Sequence, residues 1–350
     1  MTSDFQPAPP RIVGSTGQEF GRFRAVPRCT SLLGAPYKGL PRCVRRARLK
    51  EWQAVQLSTP ELFVNLALFD AKLISLVQVK IYDRVRAEKY VFERKLPPGQ
   101  MQIAGSLYNS KNVYDGRDAL LCFDNHVEDQ RIHVVLDLAR GERDRAGEGR
   151  PRISGRFSLY YDAGAPQVVS QPFASGGMYS HKGMFPVSGY LALGHRRIEL
   201  SPARSLALLD DHKGYYPYVM RWDWLTSAKV CDDGVPRGFN LTRNQCSEPE
   251  RYNENCVWEG DRVGALPSVQ FEYLRRGTSS ETWRVTDREG RVDVVFTPSV
   301  PGDVRVNALV VESRYRGPFG GIEGHLAPTG LPELKLSGWF GMGEDFYLRC

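Results

Sequence analysis

Apolar and polar residues alternate in short runs along most of this chain. The segments "RIHVVLDL" (131–138), "GRFSLYYD" (155–162), "SVQFEYL" (268–274) and "GRVDVVFT" (290–297) carry β-branched and aromatic residues at a period near two, with turn residues between them. "LISLVQVKIYD" (73–83), "EKYVFERKL" (88–96) and the long "PYVMRWDWLTSAKV" (217–230) read the same way. No segment sustains a 3.6-residue period over a helix length, so few helices are expected. The pattern predicts an all-β chain of short antiparallel strands from about residue 62 onward, at barrel or sandwich spacing. Residues 1–60, rich in Pro, Gly and Arg, read as an irregular segment, and "RGERDRAGEGRPR" (140–152) as a charged surface loop.

The pattern also repeats. "MFPVSGYLA" (184–192) matches "PFGGIEGHLA" (318–327), with Gly189 on Gly324, an offset of 324 − 189 = 135. At that offset "RFSLYY" from Arg156 falls on "RVDVVF" from Arg291, and "LLCFDN" from Leu120 on "NCVWEG" from Asn255. Three blocks at one offset predict two tandem β-domains of one kind, each closing its sheet against exposed edges. The seam falls between 190 and 215. Taken at 205/206, it gives units of 61–205 and 206–350. The stretch "DDHKGYYPYVMRWDW" (210–224) straddles it: the Asp-His half closes the first barrel and the aromatic half opens the second.

Composition changes this picture little. Of 350 residues, 41% are hydrophobic and 25% charged, which is globular. Charge adds one feature. Much of the net charge of +7 sits in "YKGLPRCVRRARLKEW" (37–52), where Lys38, Arg42, Arg45, Arg46, Arg48 and Lys50 suit anionic lipid headgroups or phosphates, or form a solvated face. No nucleic-acid fingerprint accompanies them, so no nucleic-acid partner is expected. The seven cysteines form no Cys-x-x-Cys pair, the N-terminus lacks an apolar leader core, and the longest apolar run is broken by Asn65, Asp70 and Lys72. A cytoplasmic protein with reduced thiols is the expectation.

Candidate chemistry concentrates at the seam. If 216–224 is a strand, Tyr216, Tyr218, Met220, Trp222 and Trp224 share one face, and Arg221 and Asp223 the other. The aromatic face either lines a cavity for a flat apolar ligand or packs as core. Asp223 between two tryptophans is a candidate general acid, or an ion-pair partner of Arg221. His212 beside Asp211 is a candidate acid–base pair, or a turn cap with a satisfied imidazole. Asn240, Asn244, Asn253, Glu254 and Asn255 form either a polar pole for a ligand or a hydrogen-bonded plug. Trp339 is a candidate to close a barrel end. The six histidines show no metal-ligand spacing, and neither a phosphate loop nor a G-x-S-x-G elbow is present.

"DHKGYYPYVMRWDW", "GFNLTRNQ", "NENCVWEGDRV", "VDVVFTPS" and the terminal "GWFGMGEDFYLRC" resemble the bacterial family catalogued as domain of unknown function 2804. More distantly, the layout is similar to the two-domain lipocalin-like superfamily of carotenoid 1,2-hydratases and tocopherol cyclase. That resemblance implies a pair of lipocalin-like barrels holding a lipid-, terpenoid- or polyene-like molecule. It also implies an Asp-His motif at the hand-over, where Asp211 and His212 fall, and hydratase, cyclase or isomerase chemistry without a cofactor. The sequence departs from the hydratase pattern at Gly214, where those enzymes carry tryptophan, and at Asn240, where they carry an acid. An amide cannot donate the proton a carboxylic acid would. A non-catalytic carrier and a membrane-surface adaptor using residues 38–50 are the alternatives.

Overall fold

Two antiparallel sheets, each curled into a half-barrel, carry almost all of the chain. The computed structural model describes residues 5–138, 151–308 and 311–349. Most of the charged loop expected at 140–152 lies outside the described residues.

The first sheet runs Glu88–Leu96, Ser75–Asp83, Leu62–Asp70, Lys50–Ser58, Leu206–Gly214, Gly177–Leu193, Ile153–Tyr160, Arg131–Leu138, Ala119–His126 and Ser110–Asp115. The second runs Arg262–Ala265, Cys256–Glu259, Pro236–Arg243, Val219–Val230, Leu334–Arg349, Phe319–Leu326, Val292–Val300, Thr282–Thr286 and Gln270–Leu274. The wiring is the same in both. A four-strand meander opens each unit, and its first strand pairs with the unit's last strand. That last strand pairs in turn with a strand leading back through a second meander.

This wiring tests the repeat block by block. The blocks at Arg156/Arg291 and Gly189/Gly324 sit on equivalent strands. The block at Leu120/Asn255 does not: Ala119–His126 corresponds to Gln270–Leu274, whereas Cys256–Glu259 corresponds to Ser75–Asp83. A short apolar run ending in an acid recurs on any half-buried strand, so that third match is coincidental. Leu206–Gly214, assigned from sequence to the second unit, pairs with Lys50–Ser58 and Gly177–Leu193 in the first sheet. The chain passes to the second sheet over Tyr215–Tyr218. The segment expected to be irregular up to residue 60 contains the helix Arg42–Arg48 and the strand Lys50–Ser58. Among the described residues no helix is long and apolar enough to cross a membrane. Cys29, Cys43, Cys122, Cys231, Cys246 and Cys256 are free thiols.

The two matched glycines do the same job. Gly189 has φ +133° and Gly324 φ +128°, a region L side chains rarely adopt. A Cβ on Gly189 would stand 2.3 Å from the Arg156 carbonyl oxygen, and one on Gly324 2.1 Å from that of Asp293. Gly189→Ala and Gly324→Ala are each expected to cost about 1–3 kcal/mol, read as a lower denaturation midpoint. An unchanged midpoint would mean the backbone relaxes at no cost.

Period-two alternation splits each strand between two layers. Val55, Leu57, Leu66, Val79 and Leu209 face the interior of the first half-barrel. Leu225, Phe239, Trp283 and Phe296 face that of the second. The opposite faces meet in a layer between the sheets, where Phe63 packs edge-on against Phe319 at 4.9 Å and Met184 and Leu208 meet Ala228 and Trp258. Lys50–Ser58 is buried at every position because it has a packed layer on each side.

Candidate active site between the sheets

A cavity of about 170 Å³ lies in this inter-sheet layer. An engineered cavity of about 150 Å³ takes one benzene ring, so the space suits one or two rings. Trp52, Phe69, Tyr216, Trp222, Trp224 and Phe346 are among the aromatic residues of its wall. Trp222 stacks on Phe346 at 3.8 Å, and Trp52 stacks on Trp222 at 5.5 Å.

Into this apolar space the sheet register brings a buried charged cluster. Asp210 and His212, two residues apart on Leu206–Gly214, point to the same side. Ser180 and Lys182 do so from the paired strand Gly177–Leu193. Lys182 Nζ lies 2.6 Å from Asp210 Oδ1 and 4.4 Å from the Trp224 ring centroid. Trp52 Nε1 donates to Asp210 Oδ2 at 3.1 Å, and the Trp52 ring stacks on His212 at 4.5 Å. Burial pushes the Asp210 carboxyl up, but His212 and Lys182 outweigh it and hold the group well below the usual carboxylate range. Burial likewise lowers Lys182, and Asp210 and Glu254 overcome it, so the ammonium is held charged.

The hydrogen bonds fix where the His212 proton sits. Nε2 lies 2.8 Å from Asp210 Oδ1 and 2.9 Å from Ser180 Oγ. Ser180 donates its one proton to Glu254 Oε2 at 2.5 Å, so towards His212 it can only accept. Asp210, held ionised, also only accepts. Nε2 therefore carries a hydrogen; in a neutral ring the lone pair is then at Nδ1. That buried atom has no partner among the described residues.

A second carboxyl lines the cavity from the other sheet. Glu344 accepts from Trp222 Nε1 at 2.9 Å and from the Tyr315 hydroxyl at 2.8 Å. Burial raises its pKa despite those two donors, towards the protonated acid. Lys80, lowered to about 8 by burial, lies 3.4 Å from the Tyr315 hydroxyl.

The family model described as "Domain of unknown function (DUF2804)" matches residues 36–349. The chain belongs to the DUF2804 family. Among solved structures, CghA with Sch210972 is similar at 10% identity and a TM-score of 0.44, over 86% of this chain and 88% of that one. Kievitone hydratase from Nectria haematococca is similar at 12% identity and a TM-score of 0.39, over the same shares. No curated protein matches the sequence.

In this DUF2804 protein the residues singled out from sequence divide between cavity and scaffold. His212, Glu254, Asn244, Tyr216, Trp222 and Trp224 line the cavity. Asn244 donates to Glu254 Oε1 at 3.1 Å. Asp211 does not pair with His212. The alternation turns it into the first half-barrel, where Lys213 lies at 3.3 Å, and Asp210 takes the place beside the imidazole. Asp223 faces away from the cavity and binds Arg243 at 2.7 Å and the Tyr273 hydroxyl. Arg221, expected as its partner or as a ligand contact, is exposed beside the Tyr347 ring. Tyr218 is 59% exposed, because it falls in the crossover before the strand begins.

The remaining amides are scaffold. Asn240 accepts from Trp224 Nε1 at 2.5 Å and donates to the Glu254 carbonyl at 2.8 Å, which positions both residues. Asn253 and Asn255 satisfy backbone groups at 249, 255, 242 and 267. Trp339 packs inside the second half-barrel against Phe239. Asp210, Lys182, Ser180, Trp52 and Glu344 were missed from sequence. Only Asp210 carried a signal, since alternation puts it, and not Asp211, on the His212 face. Away from the cavity, ligand atoms of His126, Glu128 and Asp129 lie within 4.8 Å on a turn. There Asp124 and Glu128 already engage both ring nitrogens, at 3.0 Å and 3.4 Å.

Proposed function

We propose that the protein binds an apolar, ring-bearing small molecule between its two sheets and moves a proton on it without a cofactor. One observation carries the reading: an imidazole oriented by a carboxylate lines an aromatic-walled cavity, and its second nitrogen, buried in that wall, has no partner among the described residues. His212 Nδ1 is then the base, with Asp210 stabilising the imidazolium as it forms. Glu344, on the opposite wall, is the acid that returns a proton elsewhere on the molecule. Removal at one atom and delivery at another balance as an isomerisation or a cyclisation. The rings hold the substrate by area and stacking. Lys182 and Glu254 keep Asp210 and Ser180 in place.

The binding step is tested with 2-naphthol, a two-ring phenol of suitable size, by titration calorimetry. Ala67 lines the cavity from Leu62–Asp70, and Ala67→Phe fills the space without removing a wall residue. Wild type is expected to bind and Ala67→Phe to lose at least about tenfold in affinity, the equivalent of 1.4 kcal/mol. Equal affinity in the two proteins would place the ligand elsewhere. Extraction and mass spectrometry of whatever co-purifies would identify the natural molecule.

A further inference from the structure

An exposed part of the cavity rim and the basic helix lie at the same end of the paired strands Lys50–Ser58 and Leu62–Asp70. Leu73, in the turn between Leu62–Asp70 and Ser75–Asp83, lines the cavity and is 56% exposed. Lys95 lines the same end from the neighbouring strand. The helix Arg42–Arg48 ends two residues before Lys50, whose Nζ donates to the Ala71 carbonyl at 2.7 Å. Helix and rim therefore form one face of the molecule.

That face is cationic with an apolar point at Leu73. Arg42 and Arg46, one turn apart on the same side of the helix, are exposed. The helix has no acid in its first turn and Arg45, Arg46 and Arg48 in its last. Lys72 bridges the carboxylates of Glu51 and Asp70 at 2.5 Å and 2.6 Å and offsets one of the two charges, and Glu93 lies 3.8 Å from Lys95. Arginines attract anionic headgroups, whereas an exposed leucine gains by entering the acyl boundary. A nucleic acid offers nothing to the leucine.

We infer that this face docks on an anionic bilayer surface, with the cavity mouth at Leu73 turned to the lipid. An apolar molecule would then pass between bilayer and cavity without crossing water. The identity of the cargo rests on the function proposed above; the docking itself does not.

The test is vesicle co-sedimentation of the full chain at low and high salt. Wild type is expected to bind mixed phosphatidylcholine–phosphatidylglycerol vesicles, more weakly as salt rises, and to leave pure phosphatidylcholine vesicles in solution. Arg42→Glu/Arg46→Glu, both exposed, is expected to weaken binding at least about 30-fold, from roughly 1 kcal/mol per basic residue. Leu73→Ser, which adds no charge, is expected to weaken it without altering the salt dependence. Wild-type binding that is absent, equal on neutral vesicles, indifferent to the arginine reversals, or outcompeted by duplex DNA overturns the inference. A far-UV circular dichroism spectrum and a urea midpoint close to those of wild type show that each variant is folded. Vesicle binding without 2-naphthol binding would refute the cavity reading and leave the docking surface standing.

Discussion

Asp210→Asn is expected to cost about 3–5 kcal/mol of folding stability at neutral pH, the range for removing one partner of a buried ion pair. The loss comes from what remains. Lys182 is buried with its charge, and the amide keeps an acceptor for Trp52 but brings no negative charge. Glu254 lies 3.6 Å from Lys182 and compensates in part, which puts the expectation at the lower end of that range. Replacing Lys182 as well, in Asp210→Asn/Lys182→Met, removes the orphaned charge while a chain of similar length still covers the Trp224 ring. The double variant is expected to recover at least half of the loss.

The pH dependence has a definite sign. The folded carboxyl of Asp210 is depressed, so its contribution is present above the unfolded value of about 3.9 and fades as pH falls towards the folded one. Urea unfolding at neutral pH should therefore separate wild type from Asp210→Asn by more than the same measurement in acid. A single-variant loss below about 1 kcal/mol, or a double variant no more stable than the single, would mean that water already solvates the pair.

Why the sequence revealed the fold but only part of the site follows from the same alternation. Strands with one wet face, such as Ile153–Tyr160, alternate cleanly and were legible. Lys50–Ser58 was not: it is buried on both faces, and Lys50, Glu51, Gln53 and Gln56 are polar residues inside the protein, so no alternation survives. The repeat was readable where a backbone need enforced it, at Gly189 and Gly324, and misleading where only composition matched, at Leu120 and Asn255. The site is non-local. Trp52, Ser180, Asp210 and Glu344 come from four strands and meet through sheet register and inter-sheet packing, which leave no spacing signature. Asp223 was attractive for its flanking tryptophans, yet adjacent residues on a strand face opposite ways. The tryptophans that line the cavity are the reason Asp223 does not.

Replacing His212 with phenylalanine is expected to abolish proton transfer while leaving ligand binding intact, because the ring stacked on Trp52 is kept and both nitrogens are lost. 2-Naphthol again serves as the probe. Exchange of its C1 hydrogen in heavy water needs a base to take the hydroxyl proton and an acid to deliver deuterium to the ring carbon; the keto tautomer so formed then loses its C1 proton to the carboxylate the acid has become, and the imidazolium restores the hydroxyl. These are the roles assigned to His212 Nδ1 and Glu344. Wild type is expected to accelerate the exchange over buffer, followed by loss of the C1–H resonance. His212→Phe and Glu344→Gln are each expected to lose about 10²–10⁴-fold of the acceleration, the usual contribution of one general acid or base. The two losses should not add, since each group serves one half of the same transfer. If wild type binds 2-naphthol and exchanges it no faster than buffer, the cavity is a carrier's. The Asp210–His212 pair would then serve only to bury Lys182 beneath Trp224.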